Sequence, residues 1–272
     1  MNPIGVFHLA RAKNGTKPFE DFIRSYRLHP AGIPHDFTII YKGFENTNDA
    51  AEWERLVADI PHRLIHVSDG GFDLRAYRIA AEQSENEFVY FLNSFSEILG
   101  DDWLKKTFVV MNQPGVGIVG ATGSWESMLT NALVDFNEIP SSSILERLKG
   151  FIRFKSCKWC FNPFPNPHIR TNAFLMRRKI MLSVWPEKIR TKRGAYLFEN
   201  GRNSLTNRLG RIGLEARVVG NDGNSYKPKE WDRSRTFRCQ DAENLLVGDN
   251  QTRLFADATP EQRNHLKQLC WG

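Results

Sequence analysis

Phe88-Val89-Tyr90-Phe91-Leu92-Asn93-Ser94-Phe95-Ser96-Glu97 decides how this chain is read. Five apolar residues end abruptly in a polar cluster with a carboxylate, and Asp101-Asp102-Trp103 follow at once. A short unbroken apolar run is how a parallel strand buried on both faces reads. Open sheets of alternating strands and helices bind their ligands beyond the carboxyl ends of such strands. Residues 93–97 are therefore expected at an active site.

On either side, strands and helices alternate. Residues 4–9 read as a first strand; Phe19, Phe22, Ile23 and Tyr26 then share one helical face, with Thr16 and Pro18 as start signals. Residues 37–41 make a second strand. Trp53, Leu56, Val57 and Ile60 repeat the helical spacing after Asn48 or Asp49 as a cap, and residues 64–67 return to strand. A third helix over Leu74, Tyr77 and Ala81 leads into the Phe88 strand. A fourth around Trp103, Leu104 and Phe108 precedes a strand at 116–120. This order predicts an α/β fold, a mainly parallel sheet with helices on both faces and right-handed crossovers.

From about residue 135 the rhythm breaks into a Ser141-Ser142-Ser143 loop, a basic segment and Phe161-Asn162-Pro163-Phe164-Pro165-Asn166-Pro167, whose prolines exclude a helix. This region reads as a connection or lid. Order returns with a strand over 169–176, an apolar helix over 179–185, a strand-like run at 195–198, a helix through Ser204, Leu205, Arg208 and Leu209, and a strand at 217–219. The tail after Lys227 is polar and ends in a helix opened by Thr259-Pro260-Glu261.

The chain has 272 residues, 41% of them hydrophobic and 25% charged, which is ordinary globular composition. No run approaches the ~18 apolar residues of a membrane span, and Met1-Asn2-Pro3-Ile4 does not open a signal peptide. The expected location is the cytoplasm, with peripheral contact at the inner face of the membrane as one reading. Of four cysteines, only Cys157 and Cys160 have metal-ligand spacing, and no second such pair follows; free thiols are the plainer reading. The net charge is +6, which suits phosphate-bearing ligands or anionic surfaces. The basic segment at 147–155 reads either as an interfacial segment leaning on anionic lipid or as a solvated basic face over a core-packed one. A second basic cluster spans 188–193. No nucleic-acid-binding signature accompanies the charge.

After the first strand, Leu9-Ala10-Arg11-Ala12-Lys13-Asn14-Gly15 has neither a dinucleotide glycine pattern nor a P-loop. Four other segments carry a resemblance. These are Asp69-Gly70-Gly71-Phe72-Asp73-Leu74-Arg75-Ala76-Tyr77-Arg78, Phe91-Leu92-Asn93-Ser94-Phe95-Ser96-Glu97, His168-Ile169-Arg170-Thr171-Asn172-Ala173-Phe174 and Tyr196-Leu197-Phe198-Glu199-Asn200-Gly201. In that order they resemble the GT-A glycosyltransferases, particularly family 2-like enzymes of surface polysaccharide biosynthesis, over roughly residues 4 to 255. The resemblance implies a single GT-A-like catalytic domain at 1–225 with a C-terminal extension at 226–272. It implies a nucleotide-sugar donor of UDP, GDP or dTDP type and a glycan or lipid-linked acceptor.

Such a transfer needs a cationic element for the departing pyrophosphate and a base for the acceptor hydroxyl. Donor binding is expected at Ala10, Arg11, Glu45, Asp69, Asp73, Arg75, Asn93 and Ser94, and the acceptor or donor pocket at Trp125, Glu126, His168, Arg170 and Asn172, with Trp125 read either as a stacking platform for a sugar ring or as a core aromatic. Asn93 and Phe95 stand where the family has the two carboxylates that hold Mg or Mn. Phenylalanine cannot ligate a metal and an amide is a weaker ligand than a carboxylate. Either Glu97 or a water shell takes over the ion, or cations among Arg11, Lys13, Arg75, Arg170 and Lys192 take over the phosphates. Glu199 is the expected base, implying inversion, with Glu126 in reserve; otherwise Glu199 is a helix-start carboxylate favoured by the dipole. Two other readings stay open: an inactive nucleotide-sugar-binding homologue, and a carbohydrate-binding module of a polysaccharide assembly complex.

Overall fold

A computed structural model describes residues 2–45, 50–140, 142–189, 191–239 and 242–272. The main sheet holds eight strands: β1 (Ile4–Arg11), β2 (Asp36–Lys42), β3 (Arg63–Val67), β4 (Phe88–Leu92), β6 (Val116–Gly120), β9 (Ala173–Arg177), β10 (Glu215–Val219) and β11 (Ser225–Tyr226). Their order across the sheet is β11-β10-β6-β9-β4-β1-β2-β3. β1 runs parallel to both β2 and β4, whereas β9 lies antiparallel between β4 and β6. The mainly parallel α/β sheet expected from the sequence is present.

Alternation along β1 explains why residues 4–10 are all buried. Ile4, Val6 and Ala10 join one core with Phe19, Phe22 and Ile23 of α1 (Lys17–Leu28), while Phe7 and Leu9 join the other with Leu74, Tyr77 and Ala80 of α3 (Asp73–Gln83). α2 (Ala51–Val57) and α4 (Trp103–Met111) cover the first core. The cap expected at Asn48 or Asp49 lies outside the described residues, as do Ser141 and Arg190 of the expected loop and basic cluster.

Three expectations fail. Residues 169–176 are not one strand: β8 (His168–Ile169) pairs with β7 (Gly123–Ser124), and the chain turns before β9 enters the main sheet. The break gives residues 170–172 a turn at the strand ends. The connection after residue 127 is mostly helical, α5 (Met128–Glu138) and α6 (Ile144–Cys160) packing as a hairpin. Finally, 195–198 is not strand-like but belongs to α8 (Lys192–Asn200), where the Thr191 hydroxyl caps Gly194 N and only Ala195 and Phe198 are buried. That three-residue spacing belongs to a helix face.

α7 (Arg178–Val184) and α9 (Leu205–Arg211) follow the expected positions, the latter capped by Ser204. The tail returns to the sheet's carboxyl edge: β12 (Val247–Gly248) pairs with β5 (Glu97–Ile98), and α10 (Asn250–Asp257) follows at once. α11 (Pro260–Trp271) is capped by Thr259 as its sequence predicts.

Candidate active site

The carboxyl ends of β1 and β4, the turn at 170–172, the inner side of α8 and the start of α10 enclose a cavity of about 650 Å³. This is the size of a small-molecule site, at the edge of an open sheet where such sites form. Of the residues expected there, Arg11, Asp73, Asn93, Glu126, His168, Arg170, Asn172 and Glu199 line it, and Lys192 joins them.

Charge pairing orders this cavity. Arg170 donates from Nη2 to Asp249 Oδ2 at 2.7 Å and from Nη1 to Thr122 Oγ1 at 3.3 Å, with its guanidinium carbon 4.0 Å above the Phe237 ring. Asp249 is held in turn, its Oδ1 accepting from Gln251 N and Thr252 N at the start of α10. Arg11 donates to Asp69 at 2.8 Å, and Lys13 meets the other oxygen at 2.6 Å. Those two hydrogen bonds hold the Asp69 carboxyl down at about 2. Asp73 accepts from buried Lys42 at 3.3 Å, and Lys42 also donates to the carbonyl of Gly71. Gly71 sits at φ +77°, a left-handed conformation that glycine adopts without steric cost. Glu126 pairs with Arg238 at 3.2 Å and accepts from Asn131.

Glu199 differs. Its carboxylate accepts from the Thr171 hydroxyl, and among the described residues it is the one cavity carboxylate with no cation in ion-pair contact. Burial raises its pKa; the Thr171 bond opposes that, nearby Asp73 adds to it and Arg170 reduces it. The position is the last turn of α8, not a helix start, so the helix dipole there disfavours the anion.

His168 is buried, and its Nδ1 lies 2.8 Å from the Asn166 carbonyl, which fixes the proton on Nδ1 and leaves Nε2 an acceptor. Burial pushes its pKa down to about 4, so the ring is neutral at physiological pH. Asn172 accepts from Thr122 Oγ1 at 2.8 Å, while its buried Nδ2 has no partner among the described residues.

The other expected residues lie outside the cavity lining. Ala10 packs in the core and Ser94 is buried. Asp69 stands behind Arg11, and Glu45 is exposed beyond β2. Arg75 braces the preceding turn through Ser68 and Gly70. Trp125 donates to the Pro228 carbonyl at 2.7 Å and meets Trp271 edge to face, which places its ring among protein partners.

The donors present do not fit a divalent ion of the usual kind. Asn93 Oδ1 accepts from Phe95 N and Ser96 Oγ, closing the turn after β4. Glu97 pairs with Arg253 at 3.2 Å on β5. Among the described residues no three acidic, histidine or cysteine side chains converge as a metal site. Cys157 and Cys160 are free thiols on α6.

Sequence reasoning missed Thr171, residues 249–251 and the Lys42 ammonium. Asp249 did carry a local signal, an Asp with Thr three residues on, which is a helix cap pattern.

No family model matches the sequence, and no curated protein matches it. Among solved structures, the chain is similar to the mannosyltransferase PcManGT from Pyrobaculum calidifontis in complex with GDP-Man and Mn2+. The TM-score is 0.50 at 11% identity, covering 98% of this chain and 70% of that one. Other matches are S. aureus TarS 1-349, with TM-score 0.45 at 11% identity over 99% of this chain and 70% of that one, and the 4-diphosphocytidyl-2C-methyl-D-erythritol synthase of Anaerococcus prevotii, with TM-score 0.45 at 9% identity over 79% and 87%. The fold is that of the GT-A glycosyltransferases.

Proposed function

We propose that this chain is a glycosyltransferase that moves a sugar from a nucleotide sugar to a hydroxyl of a glycan or lipid-linked acceptor, with Glu199 as the base. One observation carries the reading. Among the described residues every other cavity carboxylate is matched to a cation and Glu199 alone is not, and burial raises its affinity for a proton. A carboxylate shifted towards neutrality is suited to take a proton from a hydroxyl at the moment of attack.

In the proposed step the acceptor oxygen attacks the anomeric carbon and its proton passes to Glu199. The bond from that carbon to the phosphate oxygen breaks, the nucleoside diphosphate departs with the electron pair, and direct displacement inverts the centre. Arg11 and Arg170, both lining the cavity, are the cations this reading assigns to the growing phosphate charge, since guanidinium groups bind phosphate oxygens in pairs. Because the metal donors do not converge, no step is assigned to an ion. His168 Nε2 and the Asn172 amide offer an acceptor and a donor for sugar hydroxyls.

Thermal melting with UDP, GDP, dTDP and CMP, each with and without manganese or magnesium, tests donor binding. A ligand at 100 times its Kd stabilises the native state by about 2.7 kcal/mol. A rise with one nucleotide supports the reading; no rise with any of them refutes it. Glu199→Gln that keeps nucleotide binding but loses transfer assigns the base, whereas nucleotide binding without transfer by the unmodified protein means a binding homologue.

A further inference from the structure

The α5–α6 hairpin presents an apolar stripe that no described residue covers. Arg147, Gly150 and Phe154 face α5: Arg147 donates to the Ile139 carbonyl at 3.0 Å, a Cβ on Gly150 would stand 2.6 Å from Ile139, and Phe154 stacks on Phe136. Arg153 adds an ion pair with Asp135 at 2.7 Å. At about 100° per residue, Ile144, Leu145, Leu148, Ile152 and Trp159 fall together on another side. All five are exposed, Ile144 by 81% and Trp159 by 82%, and no described residue of α6 is buried. The core-packed reading of this segment is therefore not what the fold contains. A contiguous exposed apolar face of this kind marks an interaction surface.

Charge selects the partner. α6 carries Arg147, Lys149, Arg153, Lys155 and Lys158 against Glu146 alone. Lys155 lies within the stripe and Lys158 on its border, as expected of side chains that bury their stems and lift their ammonium groups to a headgroup plane. A second copy docking through the same face would set these cations against each other. We propose that the α6 stripe lies on a bilayer surface containing anionic lipid, with Ile144, Leu148, Ile152 and Trp159 inserted at the headgroup boundary and Lys155 and Lys158 on lipid phosphates.

This surface is independent of the transfer reading. Glu126 and Met128, at the root of the hairpin, line the cavity.

Flotation of the full chain with vesicles of phosphatidylcholine and phosphatidylglycerol, 3:1, tests the proposal without any nucleotide. Binding is expected to these vesicles, to weaken with salt, and to be much lower with phosphatidylcholine alone. Leu148→Glu/Ile152→Glu should abolish it. Lys155→Glu/Lys158→Glu should weaken it by about 25-fold or more, at roughly fivefold per lysine near an anionic surface. These positions are exposed, so both variants should keep the parent circular dichroism and melting temperature. No flotation by the parent, or flotation unchanged in both variants, overturns the proposal. A dimer in light scattering that the first variant splits, without vesicle binding, overturns it in favour of self-association.

Discussion

Asp249→Asn removes one charge from the cavity while leaving the local backbone almost untouched. Asn caps helices as well as Asp does, so its Oδ1 can still accept from Gln251 N and Thr252 N, where Asp249 now does. What is lost is the oxygen 2.7 Å from Arg170, in a pair whose side chains are 1% and 15% exposed. Removing one partner of a buried pair costs about 3–5 kcal/mol because the other charge is stranded. Here Arg170 keeps its place over Phe237 at 4.0 Å, and it lines an open cavity. A loss at the low end of that range, about 3 kcal/mol, is expected because the cation–π contact remains. Urea titration reads it directly: with a slope of about 2–3 kcal/mol/M, the midpoint should fall by roughly 1 M. Adding Arg170→Met should recover part of the loss, since the stranded charge goes with it. Inorganic pyrophosphate should stabilise Asp249→Asn more than the parent. A midpoint unchanged within about 0.2 M, or strictly additive effects in the double variant, would refute the claim that this pair holds the tail on the cavity.

Glu199→Gln should raise the melting temperature at pH 7.5 while lowering transfer by about 10²- to 10⁴-fold. A folded-state pKa raised above the ordinary 4.5 means that the native protein holds the proton more tightly than the unfolded chain. The stability that the protonated group contributes is therefore lost as pH rises through that window, and the advantage of Gln should grow from pH 4.5 upward in parallel melts. Asp69 works in the opposite sense. Its carboxyl is lowered from 3.8 to about 2, so its contribution is present above pH 3.8 and disappears as pH falls towards 2. Asp69→Asn should flatten that acid limb in a melting series from pH 6 to 2. Gly123→Ala should destabilise by about 1–3 kcal/mol through overpacking, because its Cβ would stand 2.5 Å from the buried Trp231 ring. An unchanged melting temperature would mean that the turn over Pro228–Arg233 is not packed on β7 as described.

The sheet was legible because its strands are buried on both faces. Phe88–Leu92 is the continuous apolar run that such burial demands, and the run at 4–10 departs from one only at buried His8. Where the sequence misled, the signal was short. Residues 195–198 form an apolar run too brief for periodicity to separate strand from helix, and the cap that settles it, Thr191 on Gly194 N, lies four residues upstream. The site was half legible for a different reason. Residue types at Arg11, Asp73, Arg170 and Glu199 were visible, but whether each charge is available depends on partners far away in the chain. Arg11 finds Asp69, Lys42 finds Asp73, Arg170 finds Asp249 and Glu126 finds Arg238. Those pairings cancel charge that composition alone counts as free. They also isolate Glu199, whose distinction is the absence of a paired cation among the described residues, and no local pattern encodes that. The tail after Lys227 is therefore part of the site's chemistry: by supplying Asp249 and Arg238 it neutralises Arg170 and Glu126. A donor phosphate must then compete with Asp249 for the same guanidinium, which ties its binding to the set of the tail.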